Sequence, residues 1–332
     1  MLSHSSAIIR PVAPLLLHKT KATLQILSGQ SHPELANSIS KILSTEPIPV
    51  HLSKFSNRES NVKLLHSVRK KNIYIIQAPS ENVNDDLMEL LLMISACKQN
   101  YAGTISAVVP CFPYARADKR GISRSPISAK LIAQMLETAG ADEIITMELH
   151  ASQIQGFFDI PIRNLDTVDV MSAWLKSLNR TDIVLVSPDA GGMKRVTKLA
   201  EVNNLPFALI HKERKVDNQV SRMTLVGDVR DQLAVIVDDM VDTCGTLITA
   251  AEKLSEAGAS GVMAIMTHGV LSGPALDRIM AADSLTGIVV TNSMCQVQNV
   301  EKCPKLTVLD IAPSFAAAIQ HSFEPVPTEA DV

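Results

Sequence analysis

Apolar residues in this chain fall into short runs separated by stretches with helical spacing. TLQILSG, from Thr23, reads as a strand and turn, and HPELANSISKIL, from His32, as the helix after it. NIYIIQ at residues 72–77 is a second strand. Asn84 opens a helix with Asn or Asp near its cap, and residues 104–110 form another buried strand. The second half repeats the order: AVIVDD from Ala234, a loop, TLITAAEKLSEAG, then GVMAIMTHG. Strands alternating with helices predict two copies of one α/β unit with mainly parallel sheets, divided near residues 165–167. A last helix, residues 313–321, is expected to pack back on the body.

The most informative stretch is AVIVDDMVDTCGT, residues 234–246. Its apolar start reads as a buried strand ended by Asp238 and Asp239. The run beyond it places Leu247, Ala250, Ala251, Leu254 and Ala257 on one helical stripe and stops at Gly258. The loop therefore lies at a helix N-terminus, where unpaired N–H groups and the positive end of the dipole suit a phosphate, with Thr243 and Thr246 as further donors. Paired carboxylates suit vicinal hydroxyls, so a sugar phosphate satisfies both halves of the loop. The competing reading is an ordinary surface loop rich in Asp, Thr and Gly; burial of the preceding strand argues against it.

Composition narrows the partners. A net charge of -3 with interspersed signs leaves no basic stripe, so nucleic acid is not implied and any phosphate site must be built locally. Five cysteines without a C-x-x-C pair argue against a disulfide framework or zinc ribbon and for a reducing compartment; Cys244 reads as a small residue that fits rather than a nucleophile. No apolar stretch approaches the length of a membrane span. The first twenty residues lack acidic side chains, a composition shared by transit peptides and disordered extensions, so a mitochondrial location stands beside a cytoplasmic one.

No G-x-x-x-x-G-K-[ST] and no G-x-G-x-x-G after a strand is present, which excludes a P-loop kinase and a Rossmann dinucleotide site. In PYARADKR a Pro-Tyr turn after a buried strand presents Arg116, Asp118, Lys119 and Arg120 at a strand's carboxyl end, where open α/β sheets bind ligands. The planar fork of Arg116 suits a polyphosphate, although a solvated charge cluster fits the residues equally well. SPDAGGMKRV supplies a glycine turn whose amides could cradle pyrophosphate, with Lys194 and Arg195 opening a helix beside it.

FSNRES from Phe55, NDDLMELLLMISACK from Asn84, PCFPYARADKR from Pro110, SPISAKL from Ser125, LHASQIQGFFDIP from Leu149, SPDAGGMKRV from Ser187, HKER from His211 and DDMVDTCGT from Asp238 together resemble the ribose-phosphate pyrophosphokinase family, in the family's order. The resemblance implies two tandem type I phosphoribosyltransferase-like domains, residues 22–166 and 167–321, each a mainly parallel sheet flanked by helices. Residues 1–21 are then an extension, and the proline-containing acidic tail 322–332 reads as disordered. It implies transfer of the diphosphoryl group of MgATP to the C1 hydroxyl of ribose 5-phosphate, and a homo-oligomer, a hexamer built from dimers, with paralogous subunits as further partners.

Carried over residue by residue, the resemblance gives Phe55, Asn57, Glu59, Arg116 and Asp118 to ATP. Asp238, Asp239, Asp242, Thr243, Cys244, Gly245 and Thr246 go to ribose 5-phosphate, and His150, Asp189, Glu148 and Asp159 to Mg2+. Catalysis falls to Lys212 and Arg214 with Arg116, where the polar run KVDNQVSRM would close over the transferring group as a mobile arm. Glu148 stands where the family usually has aspartate, keeping the charge with one more methylene, Arg163 stands where a further acidic residue is common, and Ala117 and Gly121 stand where the family tends to carry polar residues. Gly121, Ile122 and Arg163 also alter the neighbourhood of Lys119, Arg120, Arg124, Ser152 and Asn164, where the family binds phosphate and nucleoside diphosphates between subunits. A second reading stays open: a non-catalytic regulatory subunit resembling the synthetase-associated proteins. A third, a nucleobase phosphoribosyltransferase, normally needs just one such domain.

Overall fold

Isoleucine, valine and leucine runs form the strands, and the amphipathic stretches between them form helices that cover both sheet faces. The computed structural model describes residues 24–121, 124–212 and 223–322. The expected extension, Ile122, Arg214 with most of the polar run after it, and residues 323–332 of the tail lie outside the described residues.

The first half comprises β1 (Leu24–Ser28), α1 (Pro33–Ile42), a hairpin of β2 (Val50–Lys54) and β3 (Ser60–Leu64), β4 (Asn72–Ile76), α2 (Val83–Gln99), β5 (Thr104–Val109), α3 (Ser128–Ala139), β6 (Glu143–Met147), a 3-10 segment (Ser152–Phe157) and β7 (Ile162–Leu165). The second comprises α4 (Val168–Ser177), β8 (Ile183–Ser187), α5 (Met193–Asn203), β9 (Phe207–Lys212), β10 (Met223–Val226), β11 (Leu233–Val241), α6 (Gly245–Glu256), β12 (Gly261–Gly269), α7 (Ala275–Ala281), β13 (Gly287–Thr291), α8 (Val297–Lys302), β14 (Leu306–Leu309) and α9 (Ala312–His321). The first sheet runs β1-β4-β5-β6-β7, all parallel; the second runs β10-β9-β8-β11-β12-β13-β14, with β9 and β10 its antiparallel pair.

Period-two alternation sends each strand's side chains to two cores. In the first sheet Ile73, Ile75, Ile105 and Ala107 meet α2 and α3, whereas Ile26, Tyr74, Ile76 and Ile145 face the other way. In the second, Ala234, Ile236, Ala264 and Val290 pack on α6 and α7, and Leu185, Val235, Ile265 and Val289 on α4 and α5. The expected division falls in the short link between β7 and α4.

Two features differ from the sequence reading. Asp238 and Asp239 do not end their strand: β11 continues to Val241, pairing Asp238 with Met266 and Met240 with His268 of β12. A ladder needs only backbone groups, so carboxylates survive in it when their charges find partners. β8 pairs only through Ile236, so the end of β11 projects past it with one edge open. The start of α2 has no side-chain cap from Asn82; instead the Asp86 carboxylate in its first turn accepts from the Ser80 N–H at 2.7 Å.

The last helix, α9, packs back on the body as expected. It follows the last strand of the second sheet yet covers the first, where Phe315, Ala316 and Ile319 bury against α1, Ile26, Tyr74 and Ile145. Arg163 of β7 fastens it. Its Nε lies 2.6 Å from Glu143 Oε1, Nη1 donates to the Ala318 carbonyl and Nη2 to Ser322 Oγ at 2.8 Å. A cation at the last carbonyls of a helix is favourable. Arg163→Ala should therefore lower unfolding stability by roughly 1–3 kcal/mol in urea titrations, since it leaves Glu143 and the end of α9 without their partner. An unchanged midpoint would show that α9 is held by its apolar face alone.

Candidate functional site

The two sheets meet carboxyl end to carboxyl end. Arg116, after β5, reaches Asp242; Glu148 and His150, after β6, reach Arg195 and Asp239; and His268, at the end of β12, contacts the Glu148 carbonyl. Ligand chemistry in parallel sheets belongs at this edge, because helix N-termini and the loops between strand and helix converge there.

Arg195 enters from the first turn of α5. Its Nε is 2.8 Å from Glu148 Oε1 and its Nη1 3.5 Å from Asp238 Oδ1, with the guanidinium only 17% exposed. The other oxygen of Glu148 accepts from the Thr167 hydroxyl at 3.2 Å. Glu148 sits in the left-handed region (φ 43°) with its N–H donating to the Leu165 carbonyl at 2.8 Å, which turns the chain out of β6 toward α5. His268 is buried and donates from Nε2 to the Glu148 carbonyl at 3.2 Å, with Nδ1 2.9 Å from Ser293 Oγ; burial holds its pKa below the usual imidazole value.

Asp238 and Asp239 are adjacent carboxylates with different environments. Asp239 is buried; His150 Nδ1 lies 2.6 Å from its Oδ2, and its own N–H donates to Asp238 Oδ1 at 2.9 Å. Burial would raise the Asp239 pKa, but the His150 hydrogen bond and the Arg195 charge outweigh it and hold it below the carboxylate range. Burial and the negative Asp239 push Asp238 upward. The hydrogen bond to Asp239 holds the His150 pKa above its ordinary value, against the opposing effect of burial. The two carboxyl groups thus lie side by side with pKa values shifted in opposite directions, and their oxygens can accept from a pair of hydroxyls.

Beyond β11 the loop is held from outside. Both oxygens of Asp242 are engaged, one by Arg116 Nη1 at 2.7 Å and the other by the Ser272 hydroxyl, while Arg278 Nη1 donates to the Thr243 carbonyl at 2.7 Å. Arg116 Nε also points at Met240 Sδ, 2.8 Å away. The left-handed residue of the turn is Cys244 (φ 62°), not Gly245, and it caps a helix whose first amides have no intrahelical partner. Its thiol is buried and pushed up to about 12 by burial, which agrees with a packing role.

Asp189 is exposed at the end of β8 beside the projecting edge of β11, and its Oδ1 accepts from the Gly192 N–H at 3.0 Å. A Cβ on Gly192 would lie 2.8 Å from Ser187 Oγ, so the tight turn requires glycine. Asp189 is an oxygen donor of the kind a hard divalent cation takes; His150 spends Nδ1 on Asp239, which leaves Nε2 to meet a cation. Lys212 ends β9 on the same edge; Arg214 lies outside the described residues.

Other expected residues are placed differently. Asp118 is buried and accepts from Gln153 Nε2 at 2.7 Å, near enough for its charge to act on His150. Asp159 precedes β7 at the amino ends of the strands, its N–H donating to Glu137 Oε1 at 2.6 Å, so it stands away from the Asp239 cluster that follows their other ends. Phe55, Asn57 and Glu59 are exposed at the turn of the β2–β3 hairpin, where Asn57 Oδ1 accepts from the Glu59 N–H at 3.2 Å. Sequence reasoning missed Thr167, His268, Ser272 and Arg278. Only His268 left a signal, a polar Thr-His pair closing an apolar strand.

Residues 24–140 match the model of the N-terminal domain of ribose phosphate pyrophosphokinase, and residues 216–326 that of the phosphoribosyl synthetase-associated domain. Phosphoribosylpyrophosphate synthetase from Mycobacterium smegmatis is 38% identical in sequence; the match covers 91% of this chain and 99% of that one, with a TM-score of 0.85. A purine phosphoribosyltransferase from Pyrococcus horikoshii is 14% identical, covering 52% of this chain and 89% of its own, with a TM-score of 0.30.

The His150–Asp239 pair has a definite pH signature. A raised imidazole pKa stabilises the fold below the ordinary histidine value and is lost as pH rises through it; a lowered carboxyl pKa stabilises above the ordinary aspartate value and is lost as pH falls through its own. The pair thus contributes fully between about pH 4 and 6.5 in metal-free protein. In Asp239→Asn the His150 titration followed by NMR should move down toward the ordinary value. No movement would mean that the two side chains do not pair.

Proposed function

The chain belongs to the ribose phosphate pyrophosphokinase family, and from that premise we propose how its residues divide the reaction it performs. That reaction joins the C1 oxygen of ribose 5-phosphate to the β-phosphorus of MgATP and breaks the bond between the β-phosphorus and the oxygen on the α-phosphorus. AMP leaves, and the product is 5-phosphoribosyl-1-pyrophosphate.

The 5-phosphate takes the amides and hydroxyls of residues 243–246 at the start of α6, with Asp242 shaping the loop; both its oxygens already have partners, which supports that division. Asp238 and Asp239 take the ribose hydroxyls. Arg116, bonded to the ribose-phosphate loop yet rooted in the first half, lies where it can also meet the polyphosphate. Lys212, with Arg214 beyond it, offsets charge on the transferring group, because phosphoryl transfer depends mostly on position and charge neutralisation. Mg2+ would be held by Asp189 with His150, and when bound it neutralises charge on the polyphosphate. Glu148 is better read as the residue that fixes Arg195, and Asp118 as a buried support for the loop that carries Arg116.

Phe55, Asn57 and Glu59 are exposed at the turn of the β2–β3 hairpin, which supports giving their ATP contacts to a neighbouring copy in a homo-oligomer. We assign the reaction to the cytoplasm on the five free cysteines; no helix among the described residues is long and apolar enough to cross a membrane. The observation that carries the reading is the start of α6, with the left-handed Cys244 before it, just beyond the end of β11 that carries the adjacent carboxylates Asp238 and Asp239.

A coupled AMP-release assay separates the roles. Lys212→Ala should lower kcat by roughly 10²–10³-fold with the KM for ribose 5-phosphate little changed. Thr246→Ala should mainly raise that KM. The reverse pattern would reject the assignment of roles, and absence of AMP from the unmodified chain would favour a regulatory subunit.

A further inference from the structure

We propose that His32, Glu34 and Cys295 form a site for one divalent cation of the zinc type, separate from the catalytic cleft and joining the two halves of the chain. His32 precedes α1 and Glu34 lies in its first turn, whereas Cys295 follows β13, 261 residues further along the chain than Glu34. Their ligand atoms all lie within 4.8 Å of one another.

The geometry of His32 carries the argument. Its side chain is 4% exposed, and Nε2 is 2.8 Å from the carbonyl oxygen of Asn292. A carbonyl only accepts, so Nε2 carries the hydrogen, and in the neutral ring Nδ1 presents a lone pair. That lone pair faces Glu34 Oε2 at 3.4 Å, and Cys295 Sγ lies 4.0 Å from the same oxygen. The ring lone pair and the carboxylate oxygen thus face each other across a gap that needs positive charge, and the Cys295 thiol, which donates to the same oxygen, offers a third ligand once it ionises to thiolate. A backbone carbonyl receiving the second ring hydrogen is the usual support of a metal-bound histidine. Here the support is itself braced: Asn292 Nδ2 donates to Asp310 at 2.8 Å, and its Oδ1 accepts from the Ile311 N–H at 2.9 Å.

Bond lengths of about 2.0–2.3 Å to zinc put tetrahedral ligand atoms about 3.3–3.8 Å apart. The histidine–glutamate distance already meets this, and Glu34 and Cys295 are exposed, so their side chains are free to close the remainder. One nitrogen, one oxygen and one thiolate suit zinc or cobalt and disfavour magnesium; the fourth position is left to water. The rival account is an imidazolium that donates to Glu34 with Cys295 as a bystander.

Cobalt(II) distinguishes the two. Reduced full-length protein is titrated with Co2+ in excess Mg2+, which occupies oxygen-rich sites. One equivalent should produce a thiolate-to-cobalt charge-transfer band that Zn2+ abolishes, and Zn2+ should slow alkylation of Cys295 by at least about tenfold. Cys295→Ser, an exposed substitution that leaves the fold intact, should lose the band; Glu34→Gln should bind Co2+ about 10–100-fold more weakly. Zn2+ should raise the Tm of the unmodified chain but not of Cys295→Ser. Absence of the band, or the same band in Cys295→Ser, would overturn the proposal and leave the imidazolium–glutamate pair.

Discussion

Arg195 holds the molecule's most demanding contact. It lies between Glu148 of one half and Asp238 of the other, mostly out of water. Burial alone would lower the guanidinium's pKa, yet the surrounding Glu148, Asp239 and Asp238 carboxylates raise it. A buried cation of this kind adds little net stability compared with apolar packing, but losing one partner leaves an uncompensated charge, typically costing about 3–5 kcal/mol. Such a contact specifies geometry. It fixes how far the end of β6 stands from the end of β11, and with that the width of the cleft.

The remaining charges follow from that fixed point. Three carboxylates brought together would repel, so each needs a partner: Arg195 for Glu148 and, at 3.5 Å, for Asp238, and His150 for Asp239. Arg116 and Ser272 answer Asp242 further along the loop. The cleft is therefore not a pool of free acidic groups. Its polarity changes across a few ångströms, from carboxylates at the strand end to unpaired amides at the start of α6, which is the order of groups along a pentose 5-phosphate.

The fold was legible because both halves obey the same period: four apolar residues, a polar turn, then a helical stripe ending at Gly258 (φ 91°). The phosphate loop was legible for the same reason, since helix starts announce themselves locally. Pairings across the halves were not. Nothing in ELHAS, from Glu148, tells that Glu148 will meet Arg195 or that His268 will touch its carbonyl, because neither contact has a sequence spacing. The strand through Asp238 and Asp239 was cut short because charge was taken to end a ladder that backbone alone sustains. The absence of C-x-x-C turned attention from cysteine as a ligand, although Cys295 meets His32 and Glu34 only in three dimensions. Asp159 shows the converse: a motif match lies at the wrong end of the strands when the fold is known.

Two similar halves suggest two units that could move freely against each other. The path of α9 argues otherwise. Phe315 and Ile319 leave the second half and bury in the first, and Arg163 grips the helix at its far end, so the chain crosses between halves once by the link before α4 and again through α9. With Arg195 buried at the carboxyl ends and His32 hydrogen-bonded to Asn292 beside them, rotation of one sheet against the other would disrupt packed side chains and buried polar contacts together. Water must still be kept from a transferring diphosphoryl group. In a body braced at these points, that duty falls to loops at the rim of the cleft rather than to motion of one sheet against the other.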